Sequence, residues 1–343
     1  MRIKFNYNRV KVIMLLMLMN SSFILRGQDV HFSQFFEAPL WRNPSLAGIF
    51  NGDIRVQGVY RDQWNSVTDA YRTFSFNAEY KASVGQASDF LTAGFQLLHD
   101  QSGTIGWGTS YLMPALNYHK SLSEYRNSYL SLGFMGGFVP HRFDVSKMTT
   151  NSSYDNGGTG TGENFPSTQY GYFDGSVGMS YNGDLSKKNT HSFFLGMAYH
   201  HITKPRQSFY RDPTVQMVPK WVFSGGIKFD ITEYSMMTIQ IDHSRQGSHH
   251  ETIGGAMYGF KLGDSPDQPD LVLHGGAFLR WNDALIPVVK LEKGGTSFSI
   301  SYDANISLLK PSSYGRGGLE ISLAWTGKRK NNRYEKDLLY PGF

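Results

Sequence analysis

Apolar and polar positions alternate along most of this chain, in short runs with a period of two. In Thr296–Asp303, Phe298, Ile300 and Tyr302 oppose Ser297, Ser299, Ser301 and Asp303. In Tyr71–Tyr80, Phe74, Phe76, Ala78 and Tyr80 oppose Thr73, Ser75, Asn77 and Glu79. The same pattern sets Phe193, Leu195, Met197 and Tyr199 against Phe194, Gly196, Ala198 and His200, and Leu319, Ile321, Leu323 and Trp325 against Gly318, Glu320, Ser322 and Ala324. Successive side chains of a strand point to opposite faces, so this period predicts half-buried β-strands. Such segments recur near 53–61, 71–80, 91–99, 110–120, 127–138, 169–181, 190–201, 217–230, 234–246, 250–261, 270–281, 284–292, 295–303 and 315–326. The reading is all-β, with about fourteen antiparallel strands.

Alternation alone suits a soluble sandwich as well as a membrane barrel. Most segments have about the 9–11 residues that cross a bilayer at a tilt. The connections add a further signal. The second, fourth, sixth, eighth and twelfth are brief: Lys81–Phe90, Ser121–Arg126, Asn182–Asn189, Ile231–Glu233 and Lys293-Gly294. The first, third, fifth, seventh and thirteenth are longer or richer in Gly, Pro and aromatics: Asp62–Ala70, Asp100–Thr109, Val139–Thr168, Ile202–Gln216 and Ala304–Tyr314. Short turns on one rim and long loops on the other are a property of outer-membrane barrels, as is an even strand number with both termini in the periplasm. Residues 53–326 are therefore expected to form a transmembrane β-barrel, followed by a basic periplasmic tail over 327–343.

The start of the chain supports export. Arg2, Lys4, Arg9 and Lys11 precede the apolar run Val12–Met19, which is the anatomy of a signal peptide over 1–27. A single anchor helix is the alternative, although the apolar core is short for a bilayer span. The leader also changes the charge. It holds five of the 33 Lys+Arg (Arg2, Lys4, Arg9, Lys11, Arg26) and none of the 28 Asp+Glu, leaving 28 of each in the rest of the chain. A neutral body offers no footprint for a nucleic-acid backbone. The absence of cysteine excludes disulfides, Cys-ligated zinc and thiol catalysis. Aromatics make up 15% of the chain, yet mean hydropathy is negative, too polar for a helical membrane protein. Apolar outside and polar inside would average to this.

Candidate chemistry is sparse. The run Gly157–Gly162 lacks the lysine of a phosphate loop and reads as a linker. The pairs His200-His201 and His249-His250 sit on strands, where neighbours face opposite ways, so each pair supplies at most one ligand to a metal. No Gly-x-Ser-x-Gly elbow occurs. No catalytic residue, metal or cofactor is expected, and the chain reads as a non-enzyme.

Residues 28–52 are different: aromatic-rich, interrupted by Pro39 and Pro44, and without strand period. Asn43-Pro44 and Ala47-Gly48 suggest turn and cap chemistry around a short helical turn. Such a segment would tuck into the lumen or cover the periplasmic mouth, either packing the barrel or also contacting a partner. Asp29, His31, Phe32, Ser33, Gln34, Asn43, Pro44, Leu46, Ala47 and Gly48 are its candidate residues, joined by Arg55, Gln63 and Trp64 just downstream.

Here the chain resembles a known family. Asp29-x-His31-Phe32-Ser33-Gln34-Phe35, then Pro39-Leu40, Asn43-Pro44-Ser45-Leu46-Ala47-Gly48 and Arg55-x6-Asp62-Gln63-Trp64, look like the opening of the PorP/SprF family of the Bacteroidetes type IX secretion system. Asp283-Ala284 to Gly295 and Gly317–Leu323 extend the likeness across the chain after the leader. The tail Leu339-Tyr340-Pro341-Gly342-Phe343 lacks the Cys-Pro pair of many members, so no role is carried over for that cysteine. The resemblance implies an outer-membrane barrel working with the secretion machinery in export and surface attachment of large adhesins, including gliding adhesins. Its implied partners are the adhesin C-terminal domain, other type IX components, a peptidoglycan-binding periplasmic lipoprotein and outer-membrane lipid. Two rivals stand beside it. A FadL-like channel for hydrophobic solutes needs an apolar luminal pocket, whereas the inward positions Arg55, Gln57, Glu79, Ser299 and Glu320 are polar. A soluble glycan-binding β-protein needs its aromatics buried against a second sheet.

Overall fold

The structure, a computed structural model, describes residues 29–63, 71–84, 88–123, 126–155, 162, 165–185, 191–210, 212, 214–307 and 316–329. The expected signal peptide, Trp64 and the tail from 330 onward lie outside the described residues. Each segment of alternating sequence is a strand. They are β1 Ile54–Gln63, β2 Tyr71–Ser83, β3 Phe90–Ser102, β4 Trp107–Ser121, β5 Ser128–Arg142, β6 Gln169–Asp184 and β7 His191–His200. There follow β8 Lys220–Thr232, β9 Ser235–Gln246, β10 His249–Leu262, β11 Leu271–Arg280, β12 Ala284–Lys293, β13 Thr296–Asn305 and β14 Arg316–Gly327. All pair antiparallel with their sequence neighbours, and β1 pairs with β14 from Ile54↔Gly327 to Gln63↔Gly318, closing the barrel. Closure leaves no sheet edge with unpaired backbone groups.

The two faces divide as the alternation requires. Outward Phe173, Leu132 and Leu195 are 73%, 67% and 60% exposed, whereas inward Ser299 and Glu320 are each 1% exposed. So wide an apolar belt has no place in water. It matches the lipid-facing band of a transmembrane barrel. Two stacked sheets burying those aromatics are ruled out. Among the described residues no helix is long and apolar enough to cross a membrane, and crossing falls to the strands.

The loop pattern is more lopsided than the sequence suggested. On the long-loop rim, the connections 143–168 and 201–219 are extended, the former carrying a 3-10 turn (Val145–Lys147) and a helix, Asn151–Asp155. The third connection is not long. β3 and β4 continue pairing to Ser102↔Trp107, leaving the tight turn 103–106 with Gly103 and Gly106 in left-handed backbone (φ 68° and 58°). Its flanking residues Asp100–Ser102 and Trp107–Thr109 extend the two strands, and Asp100 and Thr109 hydrogen-bond Thr73 and His141 on the luminal side. β4, β5 and β6, with 15, 15 and 16 residues, make that side of the wall tallest.

Candidate functional site

Residues 29–52 thread the lumen, and the barrel is built around them. Asp29 lies at the long-loop mouth beside β9 and the end of β7, and Phe50 lies at the short-turn end beside β2. Between them come a 3-10 turn (Phe35–Glu37), a single helical turn α1 (Pro39–Arg42) and a second 3-10 turn (Pro44–Leu46). Pro39 and Pro44 start these turns where the lost N–H is unpaired anyway. Asn43 caps the second, its side chain accepting from Ser45 N at 2.9 Å. Gly48 then takes φ 85°, a left-handed conformation that glycine adopts without strain. The sequence had marked this turn chemistry correctly.

Each turn is bolted to a different part of the wall. Glu320 on β14 accepts from the backbone N–H of Ser33 and Gln34 at 2.9 and 2.7 Å. Around it, Arg61 donates to Ser33 Oγ at 2.8 Å and pairs with Asp303 at 3.0 Å and Glu320 at 3.3 Å. Arg280 joins from β11, 3.2 Å from Asp303 and 2.5 Å from Ser33 Oγ. Farther along, Arg42 forks onto the Asp242 carboxylate and donates to Gln240 at 3.0 Å. Glu37 takes Lys290 at 2.9 Å and also accepts from Gln57. Asn117 donates to the carbonyls of Ser45 and Ala47 at 2.6 and 2.8 Å, while Gly48 N donates to Glu79, itself paired with Arg55 at 2.7 Å. Charges this buried are tolerable only when paired and hydrogen-bonded, so the network fixes one position of the plug rather than adding bulk stability.

Apolar packing fills the gaps between bolts. Phe32, Ala38, Leu40 and Ala47 pack against Val59, Leu98, Met113, Met135 and Val139. Phe35 stacks edge-on against Phe278 at 5.5 Å. Leu46 and Ile49 meet Phe194. Where the plug passes closest, the wall is glycine. A Cβ on Gly133 would come 2.5 Å from Pro44 C and Ser45 N, and one on Gly178 would come 1.9 Å from Asn43 Oδ1.

The plug crosses between two vestibules. The long-loop one holds about 1000 Å³, bordered by Asp29, His31, Gln63, Asp100, Trp107 and Lys204. The short-turn one, about 370 Å³, is bordered by Arg55, Lys228, Lys290, Glu292, Glu37 and His274. Of the candidate residues, Phe32, Ser33, Gln34, Asn43, Pro44, Leu46, Ala47, Gly48 and Arg55 are plug or bolt, and Asp29, His31 and Gln63 reach the larger vestibule.

The long-loop mouth carries a feature the sequence missed. His200 and His201 do not face opposite ways. β7 ends at His200, and His201 turns into left-handed backbone (φ 60°), so both rings are buried. His201 Nδ1 lies 2.5 Å from Asp174 and its Nε2 lies 3.3 Å from Asp29. Burial pulls the His201 pKa down, but the Asp29 and Asp174 carboxylates outweigh it and hold it at about 9. Burial pushes Asp29 up, and Lys220 and His201 more than reverse that, keeping it far below the usual carboxylate range. A pKa raised from 6.5 adds stability in full below 6.5 and loses it as pH rises through about 9. The thermal stability of the native protein is therefore expected to fall between pH 6.5 and 9. In His201→Gln that step should vanish; an unchanged pH slope would refute this role for His201 and its two carboxylates.

Residues 24–325 match the family described as type IX secretion system membrane protein PorP/SprF. The chain belongs to the PorP/SprF family. Among curated proteins none matches it by sequence. Its fold is similar to that of the Ralstonia pickettii toluene transporter TbuX, at a TM-score of 0.53 and 7% identity over 84% of this chain and 92% of that one. The CymD monoaromatic hydrocarbon channel (TM-score 0.46, 8% identity, 89% and 96% covered) and the P. putida toluene transporter TodX (0.43, 10%, 85% and 94%) are also similar. At these identities the likeness is one of fold. The family and the closed barrel together make this PorP/SprF protein an outer-membrane barrel of type IX secretion.

Proposed function

We propose that this PorP/SprF protein is a non-enzymatic docking platform that holds an exported surface protein by its C-terminal domain at the long-loop rim, facing outward. The observation that carries this reading is the bolted plug: a lumen crossed by a segment held in buried ion pairs leaves the rim as the working surface. Support comes from that rim's construction. Trp107, Phe143, Phe165, Phe209 and Tyr210 stack in a chain of ring contacts of 4.6–6.1 Å, tying loop 143–168 to loop 201–219 on the tallest part of the wall. Phe143 and Phe209 are buried and brace the two loops, and exposed Tyr210 stands on that scaffold, an arrangement that suits protein recognition. The short-turn rim, where Arg329 N donates to Asp53 at 2.7 Å, then faces the periplasm, the secretion components and a peptidoglycan-binding lipoprotein. Asp29 lies at the opposite mouth; both chain ends, expected in the periplasm, lie outside the described residues.

The motif residues act as bolts in this reading, with Asp29, His31 and Gln63 bordering the docking surface. A channel for hydrophobic solutes is disfavoured by the charged short-turn vestibule. Phe209→Ser is expected to cut co-purification of exported surface proteins from native membranes at least severalfold while the barrel still assembles. Surface proteins exported and retained as usual after deletion of the gene would end the proposal.

A further inference from the structure

A depression interrupts the outer wall where the apolar belt stops. It measures about 610 Å³ and is bordered by His99 on β3, Ser110 on β4, Pro140 and Arg142 on β5, and Gln169 and Gly171 on β6. Its hollowness follows from composition, since Ser110 and Pro140 stand low between strands whose other outward residues are bulky, while the Phe138 ring lies over Gly171 and forms one wall. Pro140 also lacks an N–H, and bonded pairs between β4 and β5 pass from Thr109↔His141 to Leu112↔Phe138 with none between.

Height along the wall fixes what the depression meets. Outward Leu116 and Leu112 on β4, Leu132, Phe134 and Phe138 on β5, and Met179, Val177 and Phe173 on β6 are all exposed. A belt of that kind is about 25 Å tall. The depression begins one or two outward positions beyond its last members, on the long-loop side, at headgroup level. Its charge is one-sided: no Asp or Glu borders it, and the exposed Arg142 side chain has no carboxylate partner among the described residues. Arg72, outward on β2 near the same rim, differs in having Asp62 at 3.7 Å. His99 and Ser110 form a hydrogen-bonded pair, Nδ1 to Oγ, at 2.8 Å.

We propose that this depression binds an outer-leaflet lipid through a phosphate-bearing headgroup. Arg142 takes the phosphate in its planar fork, Gln169 and the His99–Ser110 pair hydrogen-bond beside it, and an acyl chain runs down over Phe138 and Leu112. The leaflet assignment rests on the orientation given under Proposed function; the headgroup site rests on the wall alone. Bound lipid would buttress the base of loop 143–168, which leaves the barrel at Arg142.

The test uses full-length protein in phosphatidylcholine nanodiscs, titrated with diphosphorylated lipid A and with its dephosphorylated form. The native protein is expected to retain the phosphorylated form at least tenfold better. Arg142→Gln should erase that preference, Ser110→Phe should block either form by filling the hollow, and Arg72→Gln should change nothing. Equal retention of both forms, equal loss in Arg142→Gln and Arg72→Gln, or displacement by inorganic phosphate at the same concentration as lipid would overturn the site. None of these outcomes depends on which way the barrel faces, so a failed orientation shows separately, as cell-surface inaccessibility of loop 143–168.

Discussion

Glu320→Ala is expected to release the first half of the plug and turn a closed barrel into a conducting one. The carboxylate is 1% exposed and accepts from both Ser33 N and Gln34 N, so its loss strands two buried donors at once. It also leaves Arg61, 3% exposed, sharing Asp303 with Arg280. Removing one partner from a buried ion pair costs about 3–5 kcal/mol, because the remaining charge stays out of water. The barrel wall loses nothing, since β14 keeps its backbone ladders to β1 and β13. The cost should fall on plug docking, and the plug can escape it by leaving. Planar-bilayer recordings should show rare openings for the native protein and sustained conductance for Glu320→Ala. The quieter Glu320→Gln keeps one acceptor oxygen, enough for one of the two N–H groups, and should sit between them. Silent Glu320→Ala channels with an unchanged thermal midpoint would mean that this network does not hold the plug.

How much of this was legible beforehand depends on the range of the interactions involved. The strands were legible because their signal is local. Phe298, Ile300 and Tyr302 face lipid, and Ser299, Ser301 and Asp303 face the lumen, as period two demands. The family was legible because its motif is compact. Turn chemistry at Asn43-Pro44 and Gly48 was legible for the same reason. The course of the plug was not. Segment 29–52 has no period, and its position is set by Glu320, Asp242, Lys290 and Asn117, which belong to four separated strands. Each looked like one more polar inward residue. Nor could the sequence show that His201 leaves the strand pattern, since its left-handed turn is held by Asp174 and Asp29, distant in the chain.

That division between local and distant signals also explains why small wall residues carry so much of the plug's position. β5 and β6 present Gly133 and Gly178 inward where strands ordinarily carry side chains, and Asn43-Pro44-Ser45 occupies the space those side chains would fill. Gly133→Val should therefore expel the middle of the plug. Its Cβ alone meets backbone atoms at 2.5 Å, which cannot turn aside as a flexible side chain would. Overpacking of this sort costs about 1–3 kcal/mol where neighbours can shift, and more where they cannot. Asn117, Ser180 and His119 would lose their hold on the Ser45 and Ala47 carbonyls in the same step. Trypsin reports the outcome at Arg42, which is 7% exposed in the native lumen. Cleavage there should rise at least tenfold in Gly133→Val, with the barrel still folded and heat-modifiable on gels. Gly275→Val is the control, because that glycine points outward on β11 with nothing within 4 Å of an added Cβ. If Arg42 stays protected in Gly133→Val, the wall yields more readily than the plug, and the closed lumen owes its stability to the ion pairs alone.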